Sequence, residues 1–164
     1  MTLPAKAFLV GAALAAASVG AYAQDATPDS LYACEGAGFA PPEAYGDSES
    51  HTITAGPFKC RARTGPMAGG VLIGQAVIEW KEGTGTLLAG SGVVRKPGVV
   101  LVFQTLDYKV IYQKIDGRFS KASGAGHFKY VFAGGSEAAL NGATFVYVTK
   151  SASPDAFLLE ATRE

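Results

Sequence analysis

The chain has 164 residues, and its 14 basic and 14 acidic side chains balance to a net charge of zero. Apolar residues make up 48%, charged ones 17%, and there are 21 glycines, which excludes an extended polar disordered chain. No block of like charge stands out, so strong electrostatic attraction to nucleic acid or to an anionic membrane is not expected.

Residues 1–23 read as a secretory signal peptide. Lys6 supplies the positive start, Ala7 to Gly20 form an alanine-rich apolar run, and Ala21-Tyr22-Ala23 ends it with the small residues a signal peptidase reads. Cleavage is expected after Ala23, before Gln24. The apolar run is about 14 residues, short of the roughly 20 that a spanning helix needs. The remaining residues suit one domain, 31–164, behind a loose polar arm, Gln24 to Ser30. Leu31-Tyr32-Ala33-Cys34 has the look of a lipoprotein box, but the polar arm separates it from the apolar run. The expected product is an exported protein, periplasmic or secreted, with no membrane span in its mature chain. Cys34 and Cys60 are its only cysteines. In an oxidising compartment such a pair most simply forms one disulfide, and no C-x-x-C spacing supports thiol exchange.

After the arm, strand signals dominate, and the 16 Phe and Tyr residues fit strands better than helices. Ser50 to Arg63 is strand-like, with a bulge or corner expected at Gly56-Pro57 because proline cannot donate to a ladder. Val71 to Trp80 and Thr86 to Arg95 follow, separated by a turn at Lys81 to Gly85. Lys96-Pro97-Gly98-Val99 places proline and glycine where a type II turn wants them. Val99 to Leu106 and Tyr108 to Ile115 come next. Asp116-Gly117 is a two-residue hairpin signal. Arg118 to Ser123 opens another strand, and Gly124-Ala125-Gly126 suggests a bend. Phe128, Tyr130 and Phe132 then alternate with His127, Lys129 and Val131. Ser136 to Leu140 reads as one helical turn closed by Asn141-Gly142, and Ala143 to Thr149 and Ala156 to Thr162 as the last strands. The expected fold is all-β, an antiparallel up-and-down barrel of about eight strands, with a β-sandwich as the alternative. Gly74, Gly90, Gly92, Gly124 and Gly126 are expected at barrel corners.

The segment Gly124-x-Gly126-His127-Phe128, Gly134-Gly135 and Leu140-Asn141-Gly142-Ala143-Thr144-Phe145 resembles the glycine-punctuated hairpin of small secreted barrels of the allene oxide cyclase-like and wider calycin group. The resemblance spans about 25 residues of glycine spacing and implies an antiparallel barrel with an interior cavity. No catalytic position of that group has a match here. The early G-x-W signature of lipocalins is missing, and the only tryptophan is Trp80.

Chemical motifs are sparse. His51 and His127 are the only histidines, no cysteine is spare, and no ligand spacing suggests a metal or another cofactor. There is no G-x-S-x-G elbow and no phosphate loop. Glu79, within Val77-Ile78-Glu79-Trp80, is a candidate acid–base residue if it points inward; strand alternation instead turns it outward, with Ile78 and Trp80 inside. His127 is the second catalytic candidate, although it falls on the polar face of its strand. Trp80 and Tyr130 are candidate ligand-binding residues, and Arg95-Lys96 forms a small basic point at a turn. Three functions follow. The favoured one is non-enzymatic binding of a small apolar or amphipathic ligand in the barrel interior or mouth. The others are a protein-binding module, such as a periplasmic protease inhibitor or envelope accessory, and a cyclase- or isomerase-like enzyme.

Overall fold

The computed structural model describes residues 28–36, 43–44, 51–115, 118–153 and 155–164. The expected signal peptide 1–23, arm residues 24–27 and the Asp116-Gly117 turn lie outside the described residues. Nine strands are present among the described residues: β1 Ser30–Gly36, β2 Glu43–Ala44, β3 His51–Ala62, β4 Val71–Lys81, β5 Thr84–Lys96, β6 Val99–Ile115, β7 Arg118–Gly134, β8 Thr144–Ser153 and β9 Ala156–Arg163. A short 3-10 helix, Gly135–Leu140, bridges β7 and β8. Among the described residues no helix is long and apolar enough to cross a membrane.

From β3 to β9 each strand pairs antiparallel with the next, and β1 pairs with both β9 and β3. That second pairing closes an eight-stranded up-and-down barrel and excludes an open sandwich; β2 is a two-residue addition on β3. Two residues assigned to the arm make contacts with the barrel. Ser30 is already a buried member of β1, and Asp29 Oδ2 accepts the Arg163 N–H at 2.7 Å.

Cys34 and Cys60 stand directly opposite each other across β1 and β3 and form a disulfide. The bond therefore crosses the seam where the barrel closes. Pro57 lies between the stretches of β3 that pair with β2 and with β1, and the β3–β4 ladder passes Gly56 and Pro57 without a register shift. The expected corner is absent because the missing donor falls where β3 has no second neighbour among the described residues. The Pro97-Gly98 turn joins β5 to β6, and Gly98 takes the positive φ of 74° that a type II turn requires.

Val99 to Leu106 and Tyr108 to Ile115 are one strand. The break is a bulge at Leu106, which has no partner between Thr105↔Phe128 and Asp107↔His127. The same device acts at Val131, skipped between Phe103↔Tyr130 and Val102↔Phe132. Phe128 and Tyr130 point inward, but the bulge resets the alternation and turns Phe132 outward. Three expected corner glycines serve another purpose. A Cβ on Gly74 would meet the Phe58 ring at 2.5 Å, on Gly92 the Phe103 ring at 2.6 Å, and on Gly124 the Tyr108 ring at 2.6 Å. These glycines are sockets that let rings approach the backbone closely.

A large buried cluster lies toward the end where β1 begins, called here the upper end. Phe103, Phe128, Tyr130, Phe145 and Tyr147 form one aromatic cluster there, with Phe128 and Phe145 stacked at 5.1 Å. The turn between β3 and β4 drops Met67, almost wholly buried, into the upper mouth as a plug.

Candidate functional site

Alternation places the four singled-out side chains in different surroundings. On β4, Ile78 is buried and Trp80 shares its inward face, where the indole N–H donates to Thr54 Oγ1 at 2.9 Å and the ring meets the edge of Tyr112. Glu79 therefore points outward, its Oε1 2.8 Å from His51 Nε2. His127 also faces outward. Its Nδ1 lies 2.9 Å from both carboxylate oxygens of Asp107, and its Nε2 is 3.6 Å from Glu164 Oε1. The imidazole lies between two carboxylates and so links β6, β7 and the residue after β9. Glu79 and His127 share no pocket; strands β5 and β6 separate theirs. No group of three or more His, Cys, Asp or Glu side chains suited to a metal occurs among the described residues.

Tyr130 is different. It faces the upper mouth and lines a cleft of about 280 Å³ together with Tyr32, Met67, Leu140 and Phe145. Asp29, Ser30, Pro66 and Arg163 complete its wall. The floor is apolar and aromatic, and the charged side chains come from the two chain segments tied by the Asp29–Arg163 hydrogen bond. Leu140 reaches the cleft from the 3-10 helix, whose position is fixed by the Gly142 N–H donating to the Tyr130 carbonyl at 2.8 Å. Lys96 Nζ donates to the Pro66 carbonyl and lies 3.6 Å from Glu137, which ties the Met67 turn to the same helix.

The inward phenols are neutral donors and acceptors. Burial, together with the neighbouring Tyr32 phenol, raises the Tyr130 pKa far above its ordinary value of 10.0. Burial also raises Tyr32, against the pull of its hydrogen bonds with Tyr130 and Ser30. A second pair lies deeper: Tyr108 and Tyr147 stack at 5.4 Å, and the Tyr108 and Thr149 hydroxyls are 2.6 Å apart. Among the described residues no buried side-chain polar atom lacks a hydrogen-bond partner. The site thus offers a satisfied, uncharged aromatic floor below a polar rim. Trp80 lies at the opposite, lower end of the barrel, so the two candidate ligand residues do not meet.

Comparison with protein-family models, curated proteins and solved structures finds no match. The chemistry of the cleft thus rests on its own residues. Tyr130 was visible in the sequence as an aromatic on the apolar face of its strand. Asp29, Met67, Leu140 and Arg163 were not, because each lies in an arm, turn or strand end with no local pattern; only barrel closure brings them together.

Proposed function

We propose that the protein is a non-enzymatic binder of a small amphipathic ligand, held in the cleft at the upper mouth of the barrel. The observation that carries this reading is the pairing of an apolar floor (Tyr130, Leu140, Phe145) with a polar rim (Asp29, Ser30, Arg163) around one concave space. Its volume of about 280 Å³ suits a ligand of modest size, at the lower end of the usual range for small-molecule sites. The ligand's apolar body would rest on the rings and its polar end would meet the rim. The resemblance of Gly124 to Phe145 to calycin-type hairpins supports the same placement. We further propose that the chain is exported, with its leader cut after Ala23, to the periplasm or the exterior. The Cys34–Cys60 disulfide fits an oxidising compartment. An enzyme reading would need Glu79 or His127 in an enclosed pocket, and both lie on the outer face.

Met67 gives a direct test, since Met1 is the only other methionine. In protein labelled with methyl-13C methionine, decanoate and phenylacetate are titrated in turn. The Met67 methyl resonance is expected to shift with at least one probe. Leu140→Trp, which places an indole in the cleft, is expected to weaken that shift at least about tenfold, the loss of roughly 1.4 kcal/mol of contact. An unmoved Met67 resonance with both probes, or an undiminished response in Leu140→Trp, would sink the reading.

A further inference from the structure

Exposed apolar side chains are not spread evenly around the wall. Of the seven large ones among the described residues, six lie on β4 to β7: Ile73, Leu88, Leu106, Ile111, Val131 and Phe132. The ladder registers align part of this set. Ile73, Val93, Val102 and Phe132 are successive cross-strand partners, so their outward side chains form one row over four strands, and Lys59 on β3 ends it. The row is about 19 Å long at the usual interstrand spacing. Ile73 is 60% exposed, Phe132 52%, and Val131 beside it 50%.

Cations frame this row. Arg61 and Arg95 lie in the next row toward the upper end, as the two partners of Val71. Lys129 stands in the row below, opposite Gln104. None of these four cations has a carboxylate partner among the described residues, whereas Lys96 and Lys150 are neutralised by Glu137 and Glu160. Across β3 to β7 the three rows contain no acid; on β1, Glu35 stands opposite Lys59 at the edge of the middle row, with no ion pair between them. Farther down, the nearest acid on β6 is Asp107, and it is engaged by His127. The sequence scatters these cations from Lys59 to Lys129, and the fold gathers them on one face.

We propose that this face docks on an anionic lipid bilayer. The row Ile73–Phe132 settles at the boundary of headgroups and acyl chains, while Lys59, Arg61, Arg95 and Lys129 meet lipid phosphates. An apolar strip bordered by unpaired cations complements an interface that is apolar beneath and negative above. A second copy fits poorly, because a two-fold interface through this face would set cations against cations. The convex wall lets only a few strands touch a plane, which matches the width of the row.

Flotation of the full chain with vesicles tests this. One set is phosphatidylcholine alone, the other contains roughly one-third phosphatidylglycerol. Binding is expected only with the anionic vesicles and is expected to fall in about 0.5 M NaCl. Lys59→Gln and Lys129→Gln should each lower partitioning by about fivefold, and Ile73→Ser with Phe132→Ser should lower it further, all with unchanged circular dichroism. The apolar run near the N-terminus is common to every variant, so these differences report the barrel face alone. As a second readout, brominated lipids should quench the indole added by Phe132→Trp, measured against the parent, whose only tryptophan is the inward Trp80. Variants that partition like the parent, equal binding to neutral vesicles, or an added indole that stays unquenched would each overturn the proposal. So would a dimer in solution that Ile73→Ser dissociates, which would assign the face to a second copy.

Discussion

Phe58 lies over the α-carbon of Gly74 so closely that a single added methyl group could not fit without moving the ring. Cores respond strongly to such additions, and Gly74→Ala is expected to cost about 1–3 kcal/mol, read from urea unfolding. Phe58→Leu should cost stability alone, because it removes ring contacts with Gly74 and with Phe157, 6.0 Å away. The double variant should be more stable than the two single losses predict when summed. Additive losses would mean that Gly74 serves backbone geometry rather than ring packing. The sequence shows glycine inside these strands but not why, since a corner and a socket have the same one-letter pattern. The ring that fills the socket comes from the neighbouring strand, and only register identifies it. Glu79 was easier to place: flanked by Ile78 and Trp80, its outward direction follows from strand alternation.

At the scale of elements, β1 decides whether the sheet is a barrel. It has only seven residues, yet it pairs with β3 on one side and β9 on the other. The Cys34–Cys60 bond fixes it to β3, a strand separated from it in the chain by residues 37–50. Chain-entropy arguments assign the loop that this bond closes, whose ends are 26 residues apart, about 3.5 kcal/mol. Cys34→Ser with Cys60→Ser is therefore expected to lower the melting temperature by roughly 10 °C. Hydrogen exchange should accelerate first in β1 and in its partner residues of β9. Uniform acceleration over the whole barrel would refute a local role for the bond at the seam. The cysteine pairing, most strand positions and the Pro97-Gly98 turn were legible because each rests on local chemistry. The bulges at Leu106 and Val131 were not, since neither residue carries a turn signal, and one such bulge was enough to put Phe132 outside instead of inside.

For the whole molecule, the packed aromatic interior makes stability sensitive to alkali. Burial raises the phenol pKa of Tyr32, Tyr108, Tyr130 and Tyr147 above the ordinary 10.0. Below pH 10 these phenols are neutral in both states. Above it the unfolded chain releases protons that the folded chain keeps, so stability falls as pH rises, by up to about 1.4 kcal/mol per pH unit for each phenol. Tyrosinate absorbance should therefore rise cooperatively, in step with the loss of circular dichroism. Smooth titration of these four in a folded protein would contradict their burial. The fold class was readable from strand spacing, whereas the cleft and the cationic row depend on contacts between distant segments. The Asp29–Arg163 hydrogen bond has a last consequence. It holds the start of β1 beside the end of β9, antiparallel and in register, like a hairpin whose turn has been left out. A few residues linking Glu164 to residue 28 would make the segment 28–164 circular without disturbing a ladder. New termini could then be cut at Pro97-Gly98, and the order in which the ribosome delivers the strands becomes separable from the shape they adopt.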